Sequence, residues 1–128
     1  MSENRFGSKD SVEYFLVYSA LIQAARMRGL VTYQDLALLT GLPLSGNYMS
    51  SSLGWVLGTI SENEVKYNHR PMLSALCVTV AGIPGKNFPK FARELGLLDS
   101  EDPRQVHAFW EDQCQACYQV WQQKFPKK

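Results

Sequence analysis

The stretch "GLVTYQDLALLTGLP", residues 29–43, holds in fifteen residues a stop, a short extended piece, a capped helix and a second stop. Gly29 is predicted to end a preceding helix, because only glycine enters the left-handed region at no steric cost. "LVT" is apolar and β-branched, as a short strand requires. Thr32 stands three residues before Asp35, a capping box with Asp in place of Glu, so Tyr33 to Thr40 should be helical. Gly41 and Pro43 then end that helix and turn the chain.

Upstream, residues 11–28 repeat apolar positions at three- and four-residue steps through Val12, Phe15, Leu16, Ile22 and Ala25, and close on Arg26 and Arg28. That pattern is an amphipathic helix with cations at its negative pole. Downstream, a third helix is predicted from Ser45 to Ile60. Met49, Leu53, Val56, Leu57 and Ile60 lie on one face and Ser50, Ser51 and Ser52 largely on another. "SENEVKYNH" reads as a polar connection. "MLSALCVTV" is predicted as a strand, "AGIPG" as a tight turn and "KNF" as a short returning strand. A short helix from Pro89 to Gly96 follows. Asp102 and Pro103 then occupy the N-cap and N1 positions of a last helix reaching about Phe125. Its Val106, Trp110, Cys114, Cys117, Trp121 and Phe125 form one apolar stripe.

The order of helix, short strand, helix, turn, helix and hairpin is that of a winged helix-turn-helix: a mainly α fold with a short β-hairpin and added C-terminal helices. Length allows one domain, taken as 11–125, with 1–10 as a flexible start and 126–128 as a tail. Hydrophobic residues at 45% and charged residues at 20% suit a folded soluble chain and exclude a disordered one. No apolar run has membrane-spanning length, and the polar start is not a secretion signal, so a cytoplasmic protein with no membrane partner is expected. Three cysteines, an odd number, suit a reducing compartment.

Chemistry-bearing patterns are few. "CQAC" at 114–117 lies mid-helix on the apolar stripe, and Cys77 lies in an apolar run, so all three thiols are expected to fill the core. A structural zinc needs four ligands, and Cys77, His69 and His107 supply no spaced partner for the pair. His69 and His107 read as isolated surface or capping residues. No phosphate loop, nucleophile triad or paired-carboxylate cluster is present, which leaves no catalytic, metal or cofactor site to assign.

"GLVTYQDLALLTGLP", "MSSSLGWVLG" and "RPMLSALCVTVAGIPG" together resemble the DNA-binding domain of the alkylguanine-DNA alkyltransferases and their alkyltransferase-like relatives. Gly29, Val31, Thr32, Tyr33, Leu36 and Ala37 fall on that family's pattern, as do Leu53 and Gly54 at the end of its recognition helix. The resemblance covers about residues 29–85. It implies a winged helix on double-stranded DNA. The family's Pro-Cys-His-Arg is replaced by "ALCV", Ala75 to Val78, with Cys77 one position late and no His or Arg beside it, so alkyl transfer is not expected. Asn47 stands where the family's base-replacing Arg would be. The combination with "GIPGKNF" and "FARELGLL" also resembles small bacterial and phage proteins of uncharacterised role.

A net charge of +1 does not mark a nucleic-acid binder, yet Lys66, Arg70, Lys86, Lys90 and Arg93 form a run free of Asp and Glu. The sequence therefore supports non-catalytic binding of double-stranded DNA. Asn47, Tyr48, Ser50 and Ser51 would face the groove, Thr32 and Tyr33 would lie near a phosphate, and Lys86 and Lys90 would lie on the backbone. The alternative is a protein–protein adaptor or a homodimer that uses exposed aromatic residues, Phe109 among them, as anchors. Convergence of the five cations on helix 45–60 favours DNA, and their scatter favours the adaptor.

Overall fold

The computed structural model describes residues 7–44 and 47–123; of Asn47 and Tyr48 it describes the backbone only. Its elements in chain order are α1 (Val12–Arg26), β1 (Val31–Thr32), α2 (Tyr33–Thr40), α3 (Asn47–Glu62), β2 (Cys77–Val78), α4 (Asn87–Glu94) and α5 (Pro103–Trp121). The architecture is mainly helical.

Local signals set most helix ends. Ser11 caps α1 by accepting from the Tyr14 N–H at 3.1 Å. At the other end, Arg28 rather than Gly29 takes the left-handed conformation, with φ 55°, while the Gly29 N–H reaches back to Ala24 O at 2.8 Å. The capping box of α2 forms as the sequence predicts. Thr32 Oγ1 accepts from the Asp35 N–H, and the Asp35 carboxylate accepts from the Thr32 N–H, both at 3.0 Å. Gly41, at φ 84°, closes the helix. Asp102 caps α5 by accepting from the Arg104 N–H at 3.0 Å, with Pro103 in the first turn.

The expected stripe of α3 is buried throughout: Met49, Leu53, Val56, Leu57 and Ile60 all face the core, and Ser50 and Ser51 face solvent. Beyond Glu62 the structure corrects the expected polar connection. The chain continues as a π-helical turn over Asn63–Tyr67, and this wider turn swings Glu64 inward until it is 1% exposed. Its carboxylate accepts from Arg70 Nε at 2.8 Å and Nη2 at 2.9 Å, and from the Tyr18 hydroxyl at 2.7 Å. Arg70 also lies over the Trp121 ring, 4.8 Å from its centroid. A buried carboxylate is tolerated because its oxygens meet a bidentate guanidinium and a phenol. The network ties α1, the end of α3 and the end of α5 together.

The predicted long strand over "MLSALCVTV" is mostly something else. Leu73–Leu76 is a 3-10 turn whose four side chains are buried, and only Cys77–Val78 is extended. These two residues pair in parallel with β1, Val31 opposite Cys77 and Thr32 opposite Val78. The hairpin is reduced to a turn held by one antiparallel bridge, Val78 to Pro84. The predicted returning strand "KNF" is instead the start of α4, where the Phe88 N–H donates to Gly85 O at 3.1 Å.

One core joins all the helices, with α5 lying across the 3-10 turn. Trp110 donates from Nε1 to Ala75 O at 2.8 Å, and Cys117 Sγ lies 3.4 Å from Met72 O. Phe109 does not face outward as the adaptor reading expects. It is half-buried against Phe88, ring centroids 5.8 Å apart. Among the described residues, no helix is long and apolar enough to cross a membrane.

Candidate functional site

Four separate pieces of backbone meet around a cleft of about 350 Å³: the start of α2, the first turns of α3, the turn after β2 and the approach to α4. Tyr33 and Gln34 come from α2, Met49 and Ser50 from α3, Thr79 and Val80 from the turn, and Lys86 and Asn87 from the start of α4. The parallel pairing of β1 with β2 makes this meeting possible, because it sets Thr32, and so the start of α2, beside Val78. Gly85 lets the walls close. A Cβ there would run into Tyr33 Oη and lie 2.8 Å from Tyr33 Cζ.

Polar side chains and the apolar Met49 and Val80 share the cleft lining. Gln34 Oε1 and Thr79 Oγ1 are shielded from solvent and have no hydrogen-bond partner among the described residues. Two such atoms in one cleft wall are unusual, since buried polar atoms normally find partners. Burial holds the Tyr33 phenol well above its usual range, with Cys77 a lesser cause, so Tyr33 stays a neutral donor at physiological pH.

Three sequence-predicted site residues therefore meet in the cleft: Tyr33, Ser50 and Lys86. Thr32 lies just outside, and its hydroxyl is already occupied as the cap of α2. Ser51 is exposed on α3, and Lys90 is exposed one helical turn beyond Lys86, away from the cleft lining. Asn47 begins α3, but its side chain and that of Tyr48 lie outside the described residues. Sequence reasoning missed Gln34, Thr79 and Asn87. Thr79 left one signal, a lone hydroxyl in the apolar run "LCVTV".

The five cations do not converge. Arg70 is committed to Glu64, Lys66 pairs with Glu62 at 3.1 Å, and Arg93 donates to Ser100 O at 3.1 Å. Only Lys86 stands at the cleft. A second groove, of about 300 Å³, runs between α3 and α4 with Trp55 and Phe91 in its walls and Glu62, Lys66 and Glu94 at its rim. Gly58 makes it, because a Cβ there would lie 2.9 Å from Phe91 Cζ.

The thiols belong to the core. Cys77, Cys114 and Cys117 are free and buried, and burial raises all three, Cys114 to about 12. None has the cationic neighbour that would make a thiolate at neutral pH. Among the described residues, no three of His, Cys, Asp and Glu are gathered where they could hold a metal ion. His107 is less isolated than its sequence suggests: Glu111, one turn on, lies 3.5 Å from its Nε2. Comparison with family models, with curated proteins and with solved structures finds no match to this chain.

Proposed function

We propose that the protein binds double-stranded DNA without catalysing a reaction on it, as a reduced winged helix. In this reading α2 and α3 are the helix pair, the 79–84 turn is the wing, and the alkyltransferase-like pattern of Gly29, Thr32, Tyr33 and Leu36 marks a shared scaffold. The observation that carries it is the cleft itself, which joins Tyr33, Ser50 of α3 and Lys86 beside the wing. Gln34 Oε1 and Thr79 Oγ1 add unmet hydrogen-bonding capacity in the same place.

Because Arg70, Lys66 and Arg93 are held elsewhere, few phosphates can be neutralised. With Lys86 and Lys90 alone, log K should fall with log salt at a slope of about −2. Anisotropy titration of a labelled duplex at low and moderate salt measures both affinity and slope. Absence of binding even at about 50 mM salt, where the phosphate term is large, would reject the proposal.

A second reading, a protein adaptor, is favoured by the scatter of the cations and by the groove beside Trp55, which is 40% exposed. Affinity capture from lysate with nuclease added separates the two. A DNA-bridged association disappears under nuclease and a protein interface survives it.

A further inference from the structure

Two large apolar side chains stand out from the turn after β2. Val80 is 78% exposed and Ile83 is 52% exposed. Scattered exposed hydrophobes need no explanation, but these two sit on a stiff support. The Thr79 N–H donates to Ile83 O and the Gly82 N–H to Thr79 O, both at 2.8 Å. Gly82, at φ 81°, takes the left-handed conformation that a three-residue hairpin connection places at its last position. The bridge from Val78 to Pro84 anchors the base of the turn in the sheet. The tip is therefore ordered before anything binds, which lowers the entropic cost of using it.

Its surroundings select the partner. Val80 also walls the cleft that Lys86 lines, so the tip and that cation share one rim. Between Cys77 and Lys90 the charged residues are Lys86 and Lys90, both cationic and both exposed, so the turn and its approach to α4 present positive charge without a neighbouring acid in sequence. Apolar tips beside cations are what minor-groove proteins insert between base steps, unstacking them and kinking the duplex.

We propose that Val80 and Ile83 form a wedge that enters between neighbouring base pairs of the bound duplex and kinks it. This rests on the DNA-binding reading above and adds a deformation of the DNA to it. Pyrimidine–purine steps, which unstack most easily, should be preferred.

The test uses the full chain and a duplex with one central TA step. It carries a fluorescent adenine analogue at that step and a donor–acceptor pair at its ends. The wild-type protein should raise the analogue's fluorescence and increase energy transfer between the ends. The variant V80S/I83S, changed only at exposed positions, should keep its thermal unfolding temperature, and it is compared with the wild type at protein concentrations that saturate the duplex, so that affinity and optical signal are read separately. It should lose both optical signals. Binding by the wild type with neither signal, or both signals retained by V80S/I83S, overturns the wedge and leaves the DNA reading intact. No binding by the wild type at low salt overturns both. A nuclease-resistant protein association that V80S/I83S abolishes, without any effect on the DNA signals, assigns the tip to a protein partner and also overturns the wedge.

Discussion

At the residue scale, Glu64 has the largest energetic role of any single charged side chain described here, because it is buried and its partners are built around it. Replacing it with Ala leaves Arg70 and Tyr18 without their shared acceptor, and breaking a buried pair costs about 3–5 kcal/mol. Arg70 keeps 31% exposure and can turn toward water, which places the expected loss near the lower end, about 3 kcal/mol. Lys66→Ala, which breaks the exposed pair with Glu62, should cost under about 0.5 kcal/mol. Urea unfolding of both variants checks the contrast. The same cluster gives a pH dependence. Burial, then the hydrogen bond to Glu64, raises Tyr18 from 10.0 to about 12. The fold favours the neutral phenol, so this stabilisation is complete below about pH 10 and is lost as pH rises toward about 12. Tyr18→Phe should remove that component of the alkaline loss in chemical denaturation measured across the window. Gly85 and Tyr33 form a second residue-scale pair. Gly85→Ala should destabilise by about 1–3 kcal/mol through overpacking, and adding Tyr33→Phe, which deletes the atom in the way, should recover part of it.

At the element scale, helix ends were legible because their causes are local. The α2 capping box lies within four residues, and Thr32→Ala should cost about 1 kcal/mol in thermal or chemical unfolding. If the cap is the whole role of Thr32, DNA affinity measured well below the melting temperature should not change with this substitution. A loss of affinity without a loss of fold would return Thr32 to the binding surface. The stripes of α3 and α5 were equally readable from their 3.6-residue period, but that of α1 was not: of the expected face Val12 and Phe15 are exposed, and Tyr14, Val17, Leu21 and Ala24 are buried beside Ala25. The 61–69 segment was not readable in this way. Its polar composition suggests a connection, and a carboxylate is acceptable inside only because Arg70 and Tyr18, the latter 46 residues before Glu64, both donate to it. "MLSALCVTV" failed for a related reason. Its residues from Met72 to Val78 are all buried, and a 3-10 turn buries all four residues from Leu73 to Leu76 where a two-faced strand would have exposed alternate ones.

At the scale of the whole molecule, α5 closes the core by resting Trp110, Cys114 and Cys117 on Met72 to Ala75. The thiols are consequently both shielded and protonated at neutral pH. A thiol-reactive chromogenic disulfide should label none of Cys77, Cys114 and Cys117 rapidly in the native protein and all three in denaturant. The native labelling rate should follow the opening of α5. Rapid native labelling of Cys77 would restore a nucleophilic role for it and weaken the non-catalytic reading. The cleft also belongs to this scale, since α2, α3, the turn and α4 each supply part of it.

What the sequence determined by itself is what depends on neighbours within a turn or two: the caps at Thr32 and Asp102, the left-handed stop at Gly41, the apolar faces of α3 and α5, and the burial expected of the cysteines. These follow from backbone hydrogen-bond satisfaction and helical periodicity, which act over a few residues. Only the tertiary structure decided which charges are spent and which remain available. Arg70 turned out to serve Glu64, Thr32 its own helix, and Lys86 a cleft whose α2 and α3 walls lie more than thirty residues away along the chain. Pairing and enclosure depend on distance in space, and residues far apart in sequence become neighbours only when the core forms.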